Sequence, residues 1–229
     1  PSAVRAKIAT ALLLLSREDI LNRDRYETLR ETLDDCIAHL VIPIINENDA
    51  TSLANAPDFR DNDHLATIVA MMVEAERLVL LTDVDGVYSD DPKQHRANVV
   101  IPEIENINLE IIKRLAHGKS LVGRGGMAGK LTAARMATAT GITTHIMNGA
   151  DPKTLTDVVL GKVQAGTVCL PRSHATVDFS RRDRWLLSAQ NTGASIRVDN
   201  GAAAALKKRK SLLAVGVQEI IGQFDEKEC

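Results

Sequence analysis

Apolar residues fall along this chain in short unbroken runs separated by longer amphipathic stretches. The run at 11–15, Ala-Leu-Leu-Leu-Leu, shows no polar alternation, the pattern of a strand covered on both faces. Ser16 with Asp19 three residues on has the form of a capping box, so a helix is predicted to start there. Leu29, Leu33, Ile37 and Leu40 then recur at helical spacing and make one apolar stripe. Residues 41–45 read as a strand, with Pro43 near an end or at a bulge because proline donates nothing to a ladder. The polar stretch 46–61 reads as loop or hairpin. Beyond it the pattern predicts a buried helix at 65–73, a buried strand at 78–81, and helices at 109–116 and 129–140. Gly141 would close the last of these as a C-cap, and strands follow at 143–147 and 167–170.

Short apolar strands alternating with helices imply an α/β fold, a mainly parallel sheet sandwiched by helices. Ligands of such sheets bind outside the carboxyl ends of the strands. That rule points at 46–49, at 82–85 and at the glycines ahead of the 129–140 helix. After about residue 172 the character changes: Arg181-Arg182-Asp183-Arg184 leads into Trp185, and 196–199, 211–217 and 217–224 read as short β segments. A boundary within 172–178 divides the chain into domains 1–175 and 176–229, the second a partial small β domain, short for independent stability. Neither an internal repeat nor a low-complexity tract is visible.

Composition narrows the classes. The 229 residues are 45% hydrophobic and 25% charged, ordinary for a globular protein. A net charge of −2 gives no general case for nucleic-acid or membrane-surface binding, and no apolar run approaches the ~20 residues of a membrane span. The opening is not read as a secretory signal. Arg5 and Lys7 lead into an apolar run that ends at Ser16-Arg17-Glu18-Asp19 without a small-residue cleavage pattern. Cys36, Cys169 and Cys229 are far apart and odd in number, and the six histidines are scattered. Neither a disulfide framework nor a metal site is suggested, which fits a reducing cytoplasm. The chain opens without Met on the approach to an interior strand and stops soon after a strand-like segment, so residues are expected to be missing at both ends.

Three segments carry chemistry. Arg124-Gly125-Gly126-Met127-Ala128-Gly129-Lys130 opens a predicted helix. Glycines let the backbone approach a ligand closely, free N–H groups at a helix start attract anions, and a lysine in the first turn can follow a phosphoryl group. The bare pattern also describes a glycine loop with a solvated lysine. Asn46-Glu47-Asn48-Asp49 and, later, Asp61-Asn62-Asp63 gather carboxylates and amides suited to an ammonium and carboxylate substrate. They are equally turn formers and caps, and Asp63, just before an apolar helix, is a natural N-cap. Residues 80–88 run from a buried strand into a polar turn. There Thr82 and Asp83 would hold a nucleotide edge, or the turn is merely a strand exit. The basic runs at 181–184 and 207–210 read as solvated surface, with RNA phosphates the alternative.

Together these segments resemble the glutamate 5-kinase branch of the amino-acid kinase family. The likeness rests on Val41-Ile42-Pro43-Ile44-Ile45-Asn46-Glu47-Asn48-Asp49, Asp61-Asn62-Asp63, residues 80–88, and Gly123-Arg124-Gly125-Gly126-Met127 with Lys130. The region from Arg184-Trp185 to Gly222 is similar to the start of a PUA domain. The resemblance implies the amino-acid kinase fold and transfer of the ATP γ-phosphoryl group, with Mg²⁺, to the side-chain carboxylate of L-glutamate in proline biosynthesis. It implies Asp49 and Asn62 as glutamate ligands, and Thr82, Asp83 and the segment Arg124, Gly125, Gly126, Met127, Ala128, Gly129 and Lys130 as ATP contacts. Lys130 would stabilise charge in transfer, with Asp63 organising the catalytic lysines. A homo-oligomer and feedback inhibition by proline are further implications. Two departures stand out: the family's N-terminal glycine loop and phosphate-binding lysine have no counterpart here, since Arg5 and Lys7 do not match it, and Arg124 replaces a small hydroxyl residue. The chain by itself is therefore expected to be inactive or nearly so. Rival readings are another amino-acid kinase, an RNA-binding protein and a non-catalytic scaffold.

Overall fold

The computed structural model describes residues 8–50, 59, 61–90, 99–116, 126–171, 179–189, 195–208 and 210–222. The chain divides into two compact units, Pro1–Ser188 and Ala189–Cys229. The first unit runs past the 172–178 boundary that composition suggests.

In the first unit, β1 (Thr10–Leu15) pairs in parallel with β2 (Ile42–Glu47), Thr10 opposite Ile42 and Leu15 opposite Glu47. Pro43, the second residue of β2, lies near its amino end as expected, opposite Ala11 and with no bulge. Between them come α1 (Arg17–Leu21) and α2 (Arg23–Ala38). The Asp19 carboxylate accepts from the Ser16 N–H at 2.8 Å and from its hydroxyl at 2.7 Å, which starts α1 where the capping pattern places it. Asn22 then caps a second helix, its side chain accepting from the N–H groups of Asp24 and Arg25. The predicted apolar stripe is only half a core face. Leu33 is buried, but Ile37 is exposed and Leu40 lies past the helix end in a left-handed turn.

A second sheet has the order β3-β5-β6-β4, built from β3 (Arg77–Thr82), β5 (Thr143–Asn148), β6 (Thr167–Leu170) and β4 (Glu103–Glu105). β3 with β5 and β4 with β6 are parallel, whereas β5 with β6 is antiparallel. The expectation of a mainly parallel sheet holds. Among the described residues, however, the strands of this unit form two sheets rather than one. β4 is too short and acidic to register in the sequence.

Two apolar helices join this architecture. α3 (Asn62–Met72) buries Leu65, Ile68, Met71 and Met72, and packs against β2, β3 and α5 (Gly126–Ala139). α5 buries Leu131 together with Ala134 and Ala137, and the small alanines let it lie close to α3. Gly141 ends α5 as predicted, at φ +91° with its N–H on the Thr138 carbonyl. α4 (Leu109–Leu115) is capped by Asn108, and α6 (Pro152–Val159) by Asp151 with proline in its first turn. α7 (Arg181–Ser188) falls on a basic run that reads as exposed loop. Ser180 and Asp183 cap it, and Trp185 Nε1 donates to the Ile20 carbonyl at 3.0 Å, so tertiary packing recruits charged sequence into a helix.

The second unit has β7 (Ser195–Val198) antiparallel to β8 (Val217–Ile221), with α8 (Asn200–Lys207) between them. The strand predicted at 211–217 is instead a turn of 3-10 helix, Ala214–Gly216. The Gly216 carbonyl accepts from the Asp199 N–H at 3.0 Å, which ties this segment to the start of α8 rather than to a ladder. The basic run begins in the last turn of α8, where Lys207 complements the helix dipole.

Candidate functional site

The site begins where α3 starts. Asp61 is the N-cap, its Oδ1 accepting from the His64 N–H at 2.8 Å. This corrects the capping reading of Asp63: with Asp61 in that role, Asp63 falls inside the first turn and its side chain is free to point elsewhere. It reaches Lys130 of α5, whose Nζ donates to Oδ1 and Oδ2 at 3.0 and 3.1 Å. Both side chains are mostly buried, 14% exposed for Lys130 and 18% for Asp63. In such surroundings an ion pair is screened far less than on an open surface.

The close approach of α3 and α5 depends on Gly129. A Cβ at that position would stand 2.8 Å from Asp61 Oδ2, so the cap of one helix rests on the bare backbone of the other. Gly126, Met127, Ala128 and Gly129 form the opening turn of α5, and Lys130 comes next. The lysine thus stands one turn deeper than the first-turn position expected of it. Arg124 and Gly125 lie outside the described residues.

The other sequence candidates occupy strand ends. Thr82 closes β3, and its hydroxyl donates to Asp83 Oδ1 at 3.2 Å. Alongside, the Gly149 N–H donates to the Thr82 carbonyl at 3.0 Å and Asn148 Nδ2 to Asp85 Oδ1 at 3.1 Å. The carboxyl ends of β3 and β5 therefore carry one polar shelf with Asp83 exposed on it. Asp49 is exposed two residues past β2, and the Asn48 N–H ties that exit to the Leu15 carbonyl at 2.8 Å. Asn62, the first residue of α3, is exposed beside Asp63. Among the described residues, no group of three or more His, Cys, Asp or Glu side chains is arranged to hold a metal.

Several supporting residues escape a reading of the sequence. Glu47 Oε1 accepts from the N–H of buried Phe59 at 3.2 Å and so anchors the far end of the loop after β2. Thr167, fully buried, accepts from the Val87 N–H at 2.8 Å and donates to the Ile101 carbonyl at 2.7 Å, fixing the chain beyond the Thr82–Asp85 turn. Asp61 differs, because two aspartates stand at the start of α3 and only the bond from the His64 N–H decides which one caps.

Comparison with known proteins adds a lineage to this geometry. The glutamate 5-kinase of Trichlorobacter lovleyi is 36% identical over 229 residues, all of this chain and 60% of that relative. Those of Geobacter metallireducens and Parasynechococcus marenigrum are 38% and 40% identical, over 96% and 95% of this chain and 58% and 60% of theirs. The chain thus spans about three-fifths of the length of the curated relatives it matches. A UMP kinase structure from Bacillus anthracis aligns with 73% of this chain and 60% of its own, at 15% identity and a TM-score of 0.48. Residues 4–148 match the model of the Amino acid kinase family, a span that takes in the strand exits, Asp63 and Lys130; the chain belongs to the amino acid kinase family.

Proposed function

We propose that this site transfers the γ-phosphoryl group of ATP to the side-chain carboxylate of L-glutamate, the glutamate 5-kinase reaction that opens proline biosynthesis. The observation that carries the reading is the Asp63–Lys130 pair, which joins the first turn of α3 to α5 just past its opening turn. A carboxylate attacking an anionic phosphate is repelled on approach, so catalysis must come from positioning and from positive charge. Lys130 supplies that charge, and Asp63 holds the ammonium in place while no phosphate is present. The N–H groups of residues 126–129 face the transferring group as a helix start does. Thr82 and Asp83 contact the nucleotide on their shelf, with Arg124 and Gly125 completing the phosphate loop, while Asp49 and Asn62 bind glutamate. Magnesium arrives on the ATP phosphates as part of that substrate, a mode that needs few protein ligands. No protein base is required, because the attacking carboxylate is already ionised near neutral pH.

The names of the relatives support glutamate as acceptor. The same reading makes residues 176–229 the opening of a PUA-like domain, the assembly a homo-oligomer, proline a feedback inhibitor and the cytoplasm the site of action. The test is glutamate-dependent ADP release by the full-length protein, with the acyl phosphate trapped as its hydroxamate. Turnover is expected with glutamate and not with aspartate, acetylglutamate or UMP, and Lys130→Ala should lower it by about 10²–10³. Turnover with one of the other acceptors and none with glutamate would refute the assignment.

A further inference from the structure

At the amino end of β3, away from the polar shelf, the first unit holds a cleft of about 270 Å³ lined by Arg77, His145, Val158, Lys162, Gln164 and Val168 among others. Arg77 opens β3 and Thr82 closes it, so five strand steps, roughly 17 Å, separate the cleft from the nucleotide shelf. His145 stands on the neighbouring strand, opposite Val79 of β3 on one side and Val168 of β6 on the other. It is only 9% exposed, and its Nδ1 has no hydrogen-bond partner among the described residues. A buried imidazole nitrogen without a partner is uncommon and costs free energy unless something arrives to satisfy it.

The surroundings indicate what that partner is. Arg77 Nη1 makes only long contacts, 3.3 and 3.5 Å, with the Val159 and Val158 carbonyls at the end of α6. Among the described residues no carboxylate lies within ion-pair distance of Arg77. Lys162 holds Asp157 loosely, at 3.9 Å, and is itself 63% exposed. Burial, and then the charge of Arg77, keep the imidazole below its ordinary pKa, the behaviour of a group in a positive field with no anion beside it. Of the acidic groups nearby, Asp157 is already engaged by the lysine, and Glu103 stands one strand further out, opposite Val168 on β4.

We propose that this cleft binds a small oxyanion, a carboxylate or a phosphoryl group, through Arg77, His145 and Lys162. The guanidinium presents a fork matched to two oxygens, Lys162 a mobile charge, and Nδ1–H of His145 a third donor. The valine side chains give an apolar tail somewhere to lie. The site is independent of the phosphoryl-transfer reading, since it shares no residue with it.

The probes are inorganic phosphate and succinate, added separately to full-length protein carrying ¹³C-labelled histidine, with chloride at matched ionic strength as control. The His145 resonance is identified by its loss in His145→Gln. A saturable shift of that resonance is expected, weakened about tenfold in Arg77→Gln and several-fold in Lys162→Ala, and kept in Lys130→Ala. Saturation by phosphate alone would define a phosphoryl site, and by succinate alone a carboxylate site. A resonance that moves no more than in chloride, or that responds equally in Lys162→Ala, a change on an exposed side chain that leaves the fold intact, would overturn the proposal.

Discussion

Removing the charge of Lys130 isolates the interaction at the centre of the site. At 3.0 Å a pair of unit charges is worth roughly 1 kcal/mol at the dielectric of water and about 5 kcal/mol at an effective dielectric of 20. Desolvation and side-chain ordering offset much of the larger figure. Exposed pairs measure ~0–1 kcal/mol, while removing one partner of a fully buried pair costs ~3–5 kcal/mol. With side chains 14% and 18% exposed, this pair falls between those limits, and a coupling of about 1–3 kcal/mol is expected. The assay is a double-mutant cycle, Lys130→Met, Asp63→Asn and both together, followed by urea unfolding at neutral pH with a common m-value. Lys130→Met alone should cost more than the double variant, because it leaves Asp63 buried without its cation. The first turn of α3 compensates only partly, an acidic residue there being worth ~0.3–1 kcal/mol. A coupling below about 0.5 kcal/mol would refute the reasoning, since the two groups would then be ordinary surface charges.

Three further outcomes follow from the same geometry. Gly129→Ala sets about 1 kcal/mol of gained helix propensity against a Cβ 2.8 Å from Asp61 Oδ2; displacing that cap costs ~0.5–2 kcal/mol and overpacking ~1–3 kcal/mol, so urea unfolding should show a net loss. Burial works to raise the Asp19 carboxyl, but hydrogen bonds from the Ser16 hydroxyl and N–H and the charge of Arg25 outweigh it, leaving it below its ordinary 3.8. Its contribution is therefore present above pH 3.8 and lost as pH falls through the lower folded value, and Ser16→Ala should flatten that acid limb in thermal melts. Burial pushes the Cys169 thiol up to about 12, so mass mapping after iodoacetamide treatment at pH 8 should find half-buried Cys36 alkylated and Cys169 intact until the protein is unfolded.

The sequence by itself determined where most elements lie, because those elements are set by local rules. Apolar runs marked the strands ending at Leu15 and Thr82, although β1 leaves Leu12 and Leu14 exposed on one face instead of being covered on both as its run implies. Ser16 with Asp19 started a helix, and Gly141 ended one at a positive φ that other residues rarely adopt. The residue types at the strand exits also carried the family likeness. Tertiary structure decided what depends on partners distant in the chain. Asp63 reads as a cap until α5 brings Lys130 to it across 67 residues. Arg181–Ser188 reads as exposed charge until Trp185 finds the Ile20 carbonyl, and His145 is one scattered histidine until Arg77 and the end of α6 enclose it. Caps and strand patterns are fixed within a few residues by backbone hydrogen bonding and burial period, whereas an ion pair or a cleft exists only after packing has chosen which helix faces which.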